Sequence, residues 1–245
     1  MENGEKKKKG IRLVSRKSTK KMLGRWKRLE SSEKIDLESE KKPVRMIMGK
    51  SLSEVVELDP SLDGIPLPTF FRYSLDYVEK NGLILEGIYR ISSPKSRLDE
   101  LESNVNEGKE LVFRDAHEAA GLIKRFLRQL PEQLVPNQVE KAAEACKCDW
   151  KTICSCGATK SIKHLLNQME KSQYYLLTYV FLHAQNVVKH ECDNKMGIPA
   201  LGLLLQTVLE MSRKLICIFI QNASSLSNER NEEAFYLFPD VHILT

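Results

Sequence analysis

Three basic side chains and four thiols are the residues in this chain whose types and spacing could do chemistry. Arg90 stands in Glu86-Gly87-Ile88-Tyr89-Arg90-Ile91-Ser92, while Lys124 and Arg128 sit four apart, shortly before Leu130-Pro131-Glu132. Taken singly, each is more often a solvated or ion-paired side chain, because exposed pairs are worth little. As a set, set in two apolar motifs, they call for a common account. Cys146, Cys148, Cys154 and Cys156 form two Cys-x-Cys pairs with five residues between them. Four thiolates so placed could in principle hold zinc, but structural zinc sites usually leave two to four residues between paired cysteines. We therefore read all six cysteines as free thiols, as is usual in a reducing compartment, and assign no metal ligand and no cofactor. His117, His164, His183, His190 and His242 are scattered, and none pairs with a cysteine or serine in a nucleophile motif. They read as solvated or capping residues, which argues against a hydrolase or transferase centre of the chain's own.

The elements that must position these side chains read as helices. Pro68 opens a helix with Phe70, Phe71, Leu75 and Val78 on one side, and Asn81-Gly82 is expected to close it with a left-handed cap. Ser93 as N-cap and Pro94 in the first turn start a second helix, with Leu98, Leu101 and Val105 at helical spacing and Gly108 at its end. Between them, Ile84 to Ser92 is too short for a typical helix and reads as a loop held at both ends. Asp115 caps a third helix whose buried stripe is Ala119, Leu122, Ile123, Phe126, Leu127 and Leu130, stopped by Pro131. Lys124 and Arg128 fall on its other side. Further helical patterns run over 138–146, 161–169, 174–189, 194–211 and 214–222. Strand-like alternation never persists beyond a few residues, so the fold class is all-α.

Charge divides the chain. The 245 residues carry a net charge of +5, yet residues 1–45 hold 16 Lys and Arg against 7 Asp and Glu, leaving about −4 for the rest. That stretch lacks the apolar density to fold alone and is read as a largely disordered basic tail. Within it Met22, Leu23, Trp26 and Leu29 recur at helical spacing among lysines and arginines, a pattern that fits docking on anionic lipid, a nuclear-import or nucleic-acid patch, or simply a solvated tail. A positive tail on a slightly acidic body argues against a surface that holds nucleic acid. No apolar stretch approaches the roughly 20 residues of a membrane span, and no signal-peptide segment follows Lys6 to Lys9. The expected location is the cytoplasm, with peripheral attachment to membranes through the tail.

The two arginine motifs, taken in order, carry a resemblance. Gly87-Ile88-Tyr89-Arg90-Ile91-Ser92 resembles the arginine-finger loop of the RhoGAP family, and Leu122-Ile123-Lys124-Arg125-Phe126-Leu127-Arg128-Gln129-Leu130-Pro131-Glu132 resembles its second signature. Met46 to Lys80 and Asn194-Lys195-Met196 are similar to the Ral-binding-protein branch of that family. The resemblance implies a RhoGAP-like helical bundle over 46–225 that binds a Rho-family small GTPase in its GTP-bound form. It implies that Arg90 is the finger, that Arg128 braces the finger loop by hydrogen bonds, and that Lys124 faces the GTPase. Tyr89 and Ile88 are expected to pack beneath the finger as core. Guanidinium suits the task because it presents forked donors that keep their proton beside the oxygens of a transferring phosphoryl group.

The chain also departs from the pattern. An ungapped reading puts Ala200 and Thr207 where the family offers an asparagine that contacts the GTPase and, seven residues on, a proline. Gln133 replaces a proline after Pro131-Glu132. Residues 226–245 do not resemble the family's closing helix, and no Ral-binding segment is evident. A GTPase-binding scaffold that does not accelerate hydrolysis is therefore the alternative to an activator.

Overall fold

The computed structural model describes residues 46–149, 152–224 and 236–238. The basic tail of residues 1–45, its amphipathic stretch, and most of the chain from residue 226 lie outside the described residues. The chain divides into two units, Met1–Lys42 and Pro43–Thr245, and the description below concerns the second.

Ten helices make up its regular structure among the described residues: α1 Leu52–Leu58, α2 Thr69–Asn81, α3 Lys95–Asn106, α4 Ala116–Gln129, α5 Asn137–Glu144, α6 Gly157–Leu166, α7 Lys171–Lys189, α8 Glu191–Asn194, α9 Ile198–Leu209 and α10 Arg213–Gln221. The all-α expectation holds, since the sole strand-like pairing described is one bridge between Pro60 and Pro68.

Helix α4 starts where Asp115 accepts from the Glu118 amide at 3.0 Å, satisfying one of the donors a helix N-terminus leaves open. Its stripe of Ala119, Leu122, Ile123, Phe126 and Leu127 is buried, as the spacing requires. Phe126 meets Phe70 of α2 edge-on at 5.1 Å and Phe71 at 5.6 Å. Burying such a ring contributes about 2–3 kcal/mol, so the α2–α4 contact is a main holding force under the candidate site. Helix α7 is buried nearly all round and packs against α1, α9 and α10. Its Phe181 meets Phe219 of α10 at 4.7 Å, and Phe238, fully buried, returns to Phe219. Helices α5 and α6 form a pair that packs on α10.

Three local expectations are corrected, and one helix is added. Gly82 lies at φ −123°, so α2 does not end in a left-handed cap; a glycine is needed there for space, because a Cβ would stand 2.7 Å from that of Ala116. Helix α3 begins one residue later than expected, with Pro94 rather than Ser93 in the cap position, and the Ser93 hydroxyl is buried without a partner. The helix read over 194–211 is broken: Lys195 turns left-handed at φ 60°, and Gly197 and Pro199 start α9 afresh. Helix α1 was not anticipated, although Ser51 and Glu54 form a capping box at its start.

Candidate functional site

The segment between α2 and α3 carries Arg90 and is tied together by its own backbone. Leu85 N–H donates to Gly82 O, Ile88 N–H to Leu85 O, and both Arg90 and Ile91 N–H to Gly87 O at 2.9 Å. Gly87 sits at φ 70°, and a Cβ there would come 2.9 Å from Ile91 Cδ1, so the turn requires glycine. Tyr89 is also left-handed, at φ 67°. For a bulky side chain that conformation costs on the order of 1–3 kcal/mol and persists only where the surroundings enforce it.

The enforcement comes from two neighbouring helices. The Tyr89 side chain is buried and packs edge-on against His183 of α7, its hydroxyl 2.6 Å from His183 Nε2. Burial, and after it the negative charge of Glu79, pushes the Tyr89 phenol well above its usual value, so it remains a donor. Nδ1 of the same ring donates to the Glu79 carboxylate of α2, which Asn186 also reaches. From α4, the Lys124 ammonium donates to the backbone carbonyl of Tyr89. Burial, and secondarily the charge of Arg128, pushes Lys124 below the ordinary lysine value. Ile88 is fully buried, so both residues expected beneath the finger are there.

Asn194 locks the loop from a third side. Its backbone carbonyl accepts from Gly87 N–H at 2.8 Å, and its side-chain amide donates to Leu83 O at 2.7 Å and Val187 O at 2.8 Å. Its side-chain oxygen accepts from Met196 N–H. One fully buried asparagine thus joins the finger loop, the end of α7 and the break before α9.

Arg90 itself is exposed, with Ile84 and Ile91 of the same loop exposed at 67% and 48%. None of the described residues pairs with its guanidinium. Arg128 is exposed as well, and no hydrogen bond from it to the finger loop exists among the described residues. The brace that the resemblance assigned to Arg128 is made by Lys124, because the lysine stands one turn nearer the loop and reaches its carbonyl. Arg128 instead lines an open groove of about 680 Å³ with Pro131, Glu132, Gln133 and Thr207. Ala200 is half-buried near the start of α9, and the Thr207 hydroxyl bonds back to Leu203 O within that helix.

Sequence reasoning missed His183, Glu79 and Asn194 as parts of the site. His183 is neither solvated nor capping, because Tyr89 and Glu79 enclose it. His164 is exposed, and His190 caps α7 by pairing with Asn186 O, both as expected.

Fold and site together define an all-helical domain that presents one unpaired arginine, among the described residues, from a loop fixed by three helices. The RhoGAP domain profile matches residues 68–214, more than half of the chain, and the chain belongs to that family. It is similar to RalA-binding protein 1-A of Xenopus laevis, 28% identical over 191 residues that cover 75% of this chain and 28% of the relative. It is likewise similar to Rho GTPase-activating protein 15 of Gallus gallus, 29% identical over 66% of this chain and 34% of that one. The chain therefore spans about a third or less of the curated relatives it matches. Among solved structures, human Rho GTPase-activating protein 15 superposes with a TM-score of 0.59 at 23% identity, covering 76% of this chain and 90% of that one.

Proposed function

We propose that this chain is a GTPase-activating protein for Rho-family small GTPases in the GTP-bound form, and that Arg90 is supplied in trans to the partner's nucleotide. The observation that carries the reading is the pairing of an exposed, unpartnered guanidinium with a backbone that cannot swing. A finger must lose little freedom on docking, and a pre-fixed base reduces that cost. In the partner's site it would neutralise charge on the oxygens around the γ-phosphate, which is worth roughly 10³- to 10⁵-fold in turnover. Lys124 acts from behind the loop, holding Tyr89, and also presents part of its length to the partner. Arg128 contributes from the adjoining groove as a partner-binding cation. Ile84 and Ile91 flank the finger with apolar contact area.

Preference for the GTP form follows because that form orders the switch segments that a rigid loop can dock against. The basic tail adds attachment to anionic membrane. Such a protein acts in the cytoplasm, at membranes where its partner resides.

Ala200 favours a second reading, that of a binding module with weak or absent activation. Alanine offers no side-chain hydrogen bond, and a partner group left buried and unpaired costs about 1–3 kcal/mol. The test is GTP hydrolysis by a panel of Rho-type and Ras-type GTPases with and without the chain. Acceleration confined to Rho-type members supports the activator. Tight, GTP-selective binding without acceleration supports the module.

A further inference from the structure

Away from the finger loop, the four cysteines that the sequence spacing left as free thiols converge. Their sulfurs all lie within 4.8 Å of one another, with Cys146 to Cys154 at 3.5 Å, Cys154 to Cys156 at 3.2 Å and Cys156 to Cys146 at 3.6 Å. Four thiolates on a tetrahedral zinc with bonds of about 2.3 Å stand about 3.8 Å apart, so the spacing already approximates that of the bound state. Clusters of several irons would hold their ligand sulfurs further apart.

The backbone that carries them is held in place. Cys156 stands at the N-cap position of α6. Cys154 is fixed through both of its backbone groups: its N–H donates to Asn222 Oδ1 at 3.1 Å and its carbonyl accepts from Asn222 Nδ2 at 2.8 Å. Thr159 Oγ1 donates to the same carbonyl. Cys146 and Cys154 are buried, while Cys148 and Cys156 are half-buried, which gives an entering ion a path. The one-residue spacers do not prevent convergence, since all four sulfurs lie within 4.8 Å of one another.

We propose that Cys146, Cys148, Cys154 and Cys156 form a structural zinc site that fastens the α5–α6 connection to the C-terminal end of α10. All four positions are taken by protein ligands, leaving none open for substrate, so the ion holds structure and takes no part in the reaction. An all-thiolate, tetrahedral donor set suits zinc or iron, the sulfurs stand too close for a multi-iron cluster, and zinc is the commonest ion in closed structural sites of this kind. The inference is independent of the proposed activity on GTPases.

The test is elemental analysis of the full chain, expressed with zinc in the medium and gel-filtered against a mild chelator. One zinc per chain is expected. The Cys148→Ser/Cys156→Ser variant, which removes the two half-buried ligands, should retain at least ~10-fold less. Metal-free wild type titrated with cobalt(II) should show sulfur-to-cobalt charge-transfer and tetrahedral ligand-field absorption, an outcome that decides the matter even if the variant fails to fold. Folded chain that carries no zinc after expression in zinc-supplemented medium, and that gives no thiolate spectrum with cobalt(II), overturns the proposal. So does iron in place of zinc, or a disulfide among the four in the native mass.

Discussion

The left-handed backbone of Tyr89 is where the site stores its strain, and the side chains that enforce it are separable by mutation. Lys124 grips the Tyr89 carbonyl, so Lys124→Met should leave the domain folded while letting the loop drift. Misplacing a catalytic group by a fraction of an ångström to an ångström costs roughly 10- to 100-fold. Single-turnover GTP hydrolysis should fall by that factor while affinity for the GTPase changes little. Weakened binding with an unchanged bound-state rate would instead place Lys124's role wholly on the partner. Tyr89→Phe should cost about 1–2 kcal/mol in chemical denaturation, because it strands His183 Nε2 in a buried site. Full stability in that variant would mean that the bond to His183 does not matter. Arg90, Lys124 and Arg128 stand out in the sequence because they sit inside short apolar motifs. His183 and Glu79 do not, since they lie 94 and 104 positions from their partners and read as ordinary positions on α7 and α2. That Lys124 rather than Arg128 reaches the Tyr89 carbonyl turns on one helical step that residue type alone does not decide.

Between elements, Asn194 does what packing cannot: it satisfies backbone groups where α7 ends, where α9 has not begun, and where the finger loop passes. Asn194→Ala should leave two carbonyls and one amide buried without this partner, at about 3 kcal/mol or more. Urea denaturation should show that loss, and acceleration of hydrolysis should fall with it. A stable variant with full activity would show that the loop is anchored elsewhere. The helices α2, α4 and α7 were legible from periodic apolar residues and, for α4, from the Asp115 cap. Helix α1 was missed although its capping box was in plain sight, because seven residues carry too few apolar positions to mark a period. The break at Lys195 to Gly197 was missed because apolar spacing continues across it, and the buried asparagine that stabilises it reads as merely polar.

Across the molecule, the helical class followed directly from the absence of sustained alternation, and the RhoGAP match over 68–214 agrees. The charge split makes a prediction at this scale. Removing residues 1–42, a unit distinct from Pro43–Thr245, should abolish binding to phosphatidylserine vesicles at low salt while leaving acceleration in solution intact. Vesicle binding that survives the deletion would move the membrane contact onto the helical body. The central claim is tested most directly by single-turnover hydrolysis on a Rho-type GTPase, comparing wild type with Arg90→Ala and Arg90→Lys while measuring binding of each to the GTP form. The account predicts that Arg90→Ala binds nearly as well yet loses about 10³-fold or more of the acceleration, about 4 kcal/mol of barrier, and that lysine restores little. Equal acceleration by wild type and Arg90→Ala would contradict it.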